Sequence, residues 1–294
     1  MRRLYWFQNN LRVQDNPGLL AQTDAEQLLL VYLWPKNRPW CNLTGMGAQR
    51  ERFLVESLQA LRDELADYGQ SLMILQGSAE LVIPELVRDY GIDRVDTSRT
   101  PGYYERRSLE VLRERLRVPV EVHRGDTLFD ETDLPFALED LPGQFTPFQK
   151  RIEDLAFTAA SPRPDALPPP PAARFDRLPP SDATPSAALP IRGGSGAGHR
   201  RLRQFVFEQQ SIIRYKETRN CLDGLDGSST LSPWLANGCL SPREIAAAVQ
   251  QFEREHVANE STYWLYFELL WREYFHWRAL ADDVNLFRLR PGNS

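Results

Sequence analysis

Cysteine is scarce in this chain. There are three in 294 residues (Cys41, Cys221, Cys239), an odd number without metal-ligand spacing. A disulfide framework is therefore excluded as the basis of the fold, and a reducing cytoplasm is the expected setting. No apolar run reaches the ~18 residues that would span a bilayer. The opening Met1-Arg2-Arg3-Leu4-Tyr5-Trp6-Phe7 turns apolar, but Gln8-Asn9-Asn10 cuts it too short for a secretory signal. Positive charge is not in excess either. A formal net charge of −5 argues against non-specific coating of nucleic acid, although an average leaves room for a local basic face. The four histidines (His123, His199, His256, His276) have neither ligand spacing nor a nucleophile context, so no metal is expected. A Walker-type phosphate loop is missing, as is the glycine fingerprint after the first apolar run, which argues against a nicotinamide dehydrogenase.

What is present begins with alternation. Short apolar, β-branched or aromatic runs occur at 4–7, 28–33, 72–75, 94–96 and 118–123, and stretches of helical periodicity at 47–68, 79–90 and 104–117. In the first stretch Phe53, Leu54, Leu58, Leu61 and Leu65 recur at three- and four-residue steps, one buried stripe of a helix. Strands separated by helices of this length predict parallel crossovers: an α/β, doubly wound parallel sheet of the Rossmann-like kind over residues 1–130. A connector over 131–197 follows. Prolines at 162, 164, 168–171, 179, 180, 185 and 190 exclude helix or central strand from 161 to 190. That stretch is either a disordered linker or an extended one laid over the domain surface. From 198 to 294 the pattern is helical, with helices expected at 242–255 and 261–281. The last is apolar almost all round, which places it inside a larger helical body.

Three groups of residues carry candidate chemistry. Ser228-Ser229-Thr230-Leu231-Ser232-Pro233 is a hydroxyl-rich turn with proline at the start of a helix. Such a turn suits a phosphate, and equally it suits ordinary helix capping, the commoner use of serine and threonine there. Glu268 and Arg272 lie four apart on the aromatic helix and share its face with Trp271 and Phe275, as an ion pair inside the bundle or as part of a site. Tyr215, Lys216 and Arg219 form a small basic-aromatic cluster, or a solvated helix end.

Longer blocks resemble a known family. Trp6-Phe7-Gln8-Asn9-Asn10-Leu11-Arg12-Val13-Gln14-Asp15-Asn16-Pro17 is similar to the opening signature of the photolyase/cryptochrome family. Tyr215-Lys216-Glu217-Thr218-Arg219-Asn220 resembles that family's flavin-domain motifs, as does Ser229-Thr230-Leu231-Ser232-Pro233-Trp234-Leu235-Ala236-Asn237-Gly238-Cys239-Leu240-Ser241-Pro242-Arg243. Phe145-Thr146-Pro147-Phe148-Gln149-Lys150 and the stretch from Asn259 to Phe275 resemble its DASH branch in particular.

The resemblance implies an N-terminal antenna-chromophore domain and a helical domain binding FAD. Tyr215, Ser228, Ser229, Thr230, Leu231 and Ser232 would hold the phosphates and ribitol. Glu268 would face the lesion pocket, Trp271 would stack near the damaged bases, and Arg219 and Arg272 would line the DNA-facing side. Glu105 stands where a folate antenna (methenyltetrahydrofolate) is gripped by a carboxylate. The implied activity is light-driven electron transfer from FAD that splits cyclobutane pyrimidine dimers, in DNA that is single-stranded in the DASH branch. A signalling photoreceptor and an inactive fragment are the alternatives. Gln8 stands where the family has arginine, and Thr230 where it has arginine or lysine, so weaker DNA affinity is expected. Tyr104 replaces a common amide in the antenna motif. The family's later segments are not found, so the helical domain is expected to be partial, with weak FAD binding unless a missing half is supplied in trans.

Overall fold

The computed structural model describes residues 1–35, 45–172, 183–184, 190–221 and 227–287. Cys41, Pro179, Pro180, Pro185 and the terminal Pro291-Gly292-Asn293-Ser294 lie outside the described residues. Five strands, β1 (Arg2–Phe7), β2 (Gln27–Trp34), β3 (Leu72–Gln76), β4 (Arg94–Ser98) and β5 (Val120–His123), form one sheet. The order is β3-β2-β1-β4-β5 and every pairing is parallel. The chain reverses direction across the sheet between β1 and β4, as a doubly wound fold requires.

The central strands β1 and β2 are buried on both faces, so β1 reads as a continuous apolar run, whereas the edge strand β5 has no fully buried residue. Tyr5, Phe7, Leu28, Leu30, Leu72 and Ile74 point to one side, where the predicted stripe of α2 (Ala48–Ala66; α1 is the short Pro17–Leu20) covers them. Leu4, Trp6, Leu29, Val31 and Met73 point to the other, against α3 (Ala79–Tyr90) and α4 (Tyr103–Arg115). This alternation is the period-two geometry of a strand. Proline at 84 inside α3 deletes the amide that would bond the Glu80 carbonyl. Arg115 Nη1 supplies the missing donor at 3.0 Å, which explains how the helix tolerates the proline.

Of the proline-rich stretch, residues 161–172 lie on the sheet domain. Leu28 N donates to Pro169 O at 3.0 Å, Gln70 Nε2 donates to Pro168 O, and Pro164, Leu167, Pro168 and Pro171 are buried. The preceding stretch contributes a helix of its own, α5 (Phe145–Ile152), burying Phe145, Phe148 and Ile152.

The helical region comprises α6 (Ser195–Arg203, continued by a π turn to Glu208), α7 (Tyr215–Thr218), α8 (Ser232–Asn237), α9 (Pro242–Glu255) and α10 (Glu260–Asp282). Capping boxes at Ser241/Glu244 and Asn259/Thr262 start α9 and α10. Leu265, Leu269, Leu270, Tyr274 and Trp277 of α10 are buried, whereas Phe275 is 61% exposed.

The opening signature fastens the two regions together. Arg12, 3% exposed, donates only to backbone carbonyls: Asp15 O, Gly125 O at 2.8 Å and Gly238 O at 3.0 Å. Leu11 N donates to Asn237 O, and Asp15 pairs with Arg243 at 3.1 Å with both side chains buried. Gly238 has φ +68°, and a Cβ there would collide with the backbone of Asn9 and Asn10. From α10, Glu273 accepts from Leu128 N at 2.9 Å, Phe129 N at 3.3 Å and Trp277 Nε1 at 3.0 Å. Burial pushes its carboxyl up to about 7 against those donors.

Candidate functional site

The helical region forms a half-open cavity of about 410 Å³. Residues 228–232 form one wall, Tyr215 stands beside them, and Glu268 and Arg272 of α10 face them across an apolar floor that includes Leu235, Ile245 and Leu269. Eight of the sequence-predicted residues therefore meet around one space: Tyr215, Ser228, Ser229, Thr230, Leu231, Ser232, Glu268 and Arg272.

The turn has a special backbone. Thr230 lies in the left-handed region (φ +54°) and Leu231 follows in the right-handed one (φ −77°, ψ −13°). Successive residues of opposite hand bring neighbouring N–H groups into a concave nest that accepts an anion. The Tyr215 phenol is pushed up by burial while hydrogen-bonded to Ser229, so it remains a neutral donor at physiological pH. Burial pulls the Arg272 guanidinium down, but an arginine remains charged in proteins. Its Nη1 donates to Asp126 O at 2.7 Å.

Glu268 and Arg272 do not pair with each other. Glu268 instead meets Arg219 Nε at 3.7 Å and accepts from Trp264 Nε1 at 3.1 Å. Arg219 and Lys216 both stack over the Trp264 ring, at 4.6 and 5.1 Å. Arg219 thus stands next to a lining residue without lining the cavity itself. Trp271 does not line the cavity either; it is stacked on Phe145 at 3.6 Å, with Phe275 5.7 Å away. Glu105 is elsewhere, exposed in the first turn of α4 with its carboxylate folded back over Gly102. Nearby Tyr103 and Tyr104 pack on Phe287.

Sequence reasoning missed Arg201. It is 5% exposed and donates from α6 to the backs of Ser228 and Ser229. The signal was available: it falls in the same helical stripe as Leu202 and Phe205, where an arginine needs a reason to be. Among the described residues, no group of three His, Cys, Asp or Glu side chains could hold a metal ion. No helix among them is long and apolar enough to cross a membrane.

A parallel sheet with this strand order, joined by a buried signature to helices around a hydroxyl-lined cavity, defines a class, and the comparisons agree on the family. The DNA photolyase family model matches residues 3–171, and the chain belongs to the photolyase/cryptochrome family. It is similar to cryptochrome DASH of Idiomarina loihiensis, 38% identical over 290 residues, covering 97% of this chain and 64% of that protein. It is also 36% identical to the chloroplastic/mitochondrial cryptochrome DASH of Arabidopsis thaliana, covering 97% of this chain and 53% of the relative. The structure of the Synechocystis sp. PCC6803 cryptochrome superposes with a TM-score of 0.90 at 33% identity, over 97% of this chain and 62% of that one. A bacterial class III photolyase from Agrobacterium tumefaciens shares the fold, with a TM-score of 0.79 at 23% identity, over 98% of this chain and 63% of that one. The chain thus spans between about half and slightly less than two thirds of the length of these relatives, 53% of the Arabidopsis protein and 62–64% of the others.

Proposed function

We propose that this chain is a DASH-type blue-light flavoprotein whose helical cavity receives FAD and whose activity is the light-driven splitting of cyclobutane pyrimidine dimers in DNA. The observation that carries the reading is the convergence of Tyr215, the 228–232 nest, Glu268 and Arg272 on one cavity. Their chemistry fits the group: hydroxyls and a concave row of amides for the diphosphate, apolar side chains for the organic part, and a buried guanidinium for the charge. Bound in its reduced form, FAD would supply a light-excited electron that passes to the dimer and returns once the ring has split. The chain's own part is to exclude water, to hold the phosphates and ribitol with Tyr215, Ser228, Ser229, Thr230, Leu231 and Ser232, and to present Glu268 to the lesion. Trp271 would stack near the damaged bases, with Arg219 and Arg272 on the DNA-facing side; an unpaired lesion in single-stranded DNA is the easier one to extrude.

In this reading residues 1–130 form the antenna domain, with Glu105 gripping a folate-type antenna, 131–197 connect, and 198–294 contribute the flavin-binding helices. A reducing cytoplasm suits its unpaired Cys221 and Cys239. A second reading, a photoreceptor signalling to a protein partner, draws on one observation: a face of Trp271 is already covered by Phe145. Blue-light cleavage of a thymine dimer in a short single-stranded oligonucleotide separates the two. Cleavage by the FAD-loaded chain supports repair; a loaded chain that cleaves nothing removes it.

A further inference from the structure

We propose that Arg201 is the positioning residue that shapes the 228–232 turn into a receptor for a diphosphate ester. The proposal rests on the flavin reading above for the identity of the ester, and on the geometry of α6 for the rest. Arg201 Nε donates to Ser229 O and to Thr230 Oγ1, each at 3.1 Å, and Nη2 donates to Ser228 O at 2.8 Å. Its guanidinium also lies 5.5 Å from the centre of the Phe205 ring.

Three physical consequences follow from these contacts. In a trans peptide the N–H of the next residue points opposite the carbonyl. Drawing the carbonyls of Ser228 and Ser229 back toward Arg201 therefore turns the N–H groups of Ser229 and Thr230 the other way, toward the cavity they line. Second, Thr230 is a β-branched residue in the left-handed region, a strained conformation that surrounding contacts must hold. Its hydroxyl is fixed twice, accepting from Arg201 and donating to Ser229 O at 2.7 Å. Third, a positive charge placed directly behind the nest, out of water, strengthens the attraction for an anion in front of it. A lysine could supply the charge but not the rigid fork that reaches Ser228, Ser229 and Thr230 together.

The test compares the native chain with Arg201→Met, which keeps an unbranched side chain without the charge or the donors, and with Arg201→Lys, which keeps the charge. Amide exchange is followed through residues 227–232, and binding is titrated with FAD and with riboflavin, which lacks the phosphates. In Arg201→Met, exchange in the turn is expected to quicken and FAD to weaken, each about tenfold, while riboflavin affinity and exchange in α9 and α10 hold. Arg201→Lys is expected to recover part of the FAD affinity without restoring protection of the turn. Unchanged exchange in the turn would overturn the proposal, as would an equal loss of FAD and riboflavin, the mark of a merely structural role. A native chain that binds no FAD, with the turn still loosened in Arg201→Met, removes the flavin identity and leaves the turn-shaping role standing.

Discussion

The indole of Trp271 lies flat on the ring of Phe145, centroids 3.6 Å apart and planes 9° from parallel. The pair joins α10 to α5, two elements more than a hundred residues apart in sequence, and Phe145 is buried while Phe275 beyond Trp271 is not. Phe145→Ala removes a buried ring and its stacking partner together. It is expected to lower stability by about 3–5 kcal/mol in urea unfolding, whereas Trp271→Phe, which keeps an aromatic face, costs much less.

The latch between the two regions makes a second prediction. Asp15 and Arg243 are 0% and 3% exposed, so removing either partner leaves a buried charge unpaired. Asp15→Asn and Arg243→Met are each expected to cost about 3–5 kcal/mol, and the double variant clearly less than their sum. Gly238→Ala meets both an unfavourable φ and the backbone of Asn9, and is expected to destabilise by more than about 1 kcal/mol.

His199 gives stability a pH dependence. Its Nε2 lies 2.9 Å from Glu244 and its Nδ1 3.0 Å from the Ser195 carbonyl, two acceptors that together favour the imidazolium. The hydrogen bond to Glu244 raises the imidazole above its ordinary value, while Glu244 is held below its own. A raised histidine contributes stability that is complete below about pH 6.5 and lost as pH rises through the folded value. Wild-type stability minus that of His199→Gln, from urea midpoints, should therefore shrink from pH 6 toward pH 9. His276, lowered by burial, is present in both proteins, so its own contribution to the slope cancels in this difference.

Under the proposed function, variants at Glu268 and Arg219 test chemistry and DNA binding separately. In the FAD-loaded protein Glu268→Gln keeps the shape of the side chain but removes its charge, and is expected to reduce thymine-dimer cleavage about tenfold. Arg219→Gln is expected to weaken oligonucleotide binding and to lower the slope of log affinity against log salt by about one. The checks are a blue-light repair assay and a salt series of binding isotherms.

Most of the fold was legible because its signals are local. The short apolar runs and the stripe of Phe53, Leu54, Leu58, Leu61 and Leu65 located the five strands and α2 to within a few residues, since both faces of a parallel sheet must be covered. The cavity wall at 228–232 was legible as a hydroxyl-rich turn, but its left-handed Thr230 was not, because no glycine marks it. Pairings that depend on tertiary structure were hidden. Glu268 and Arg272 are neighbours on α10, yet each is drawn to a partner from another segment, Arg219 and the Asp126 carbonyl. Arg12 was read as part of a signature; that it is a buried clasp for three loop carbonyls depends on where Gly125 and Gly238 arrive.

The proposed FAD site is tested most directly by the absorbance spectrum of the purified chain, with flavin quantified after denaturation, followed by titration with added FAD. Flavin absorbance is expected, or saturable one-to-one uptake that falls when Arg272 is replaced by Met. A colourless chain that takes up no FAD would contradict it.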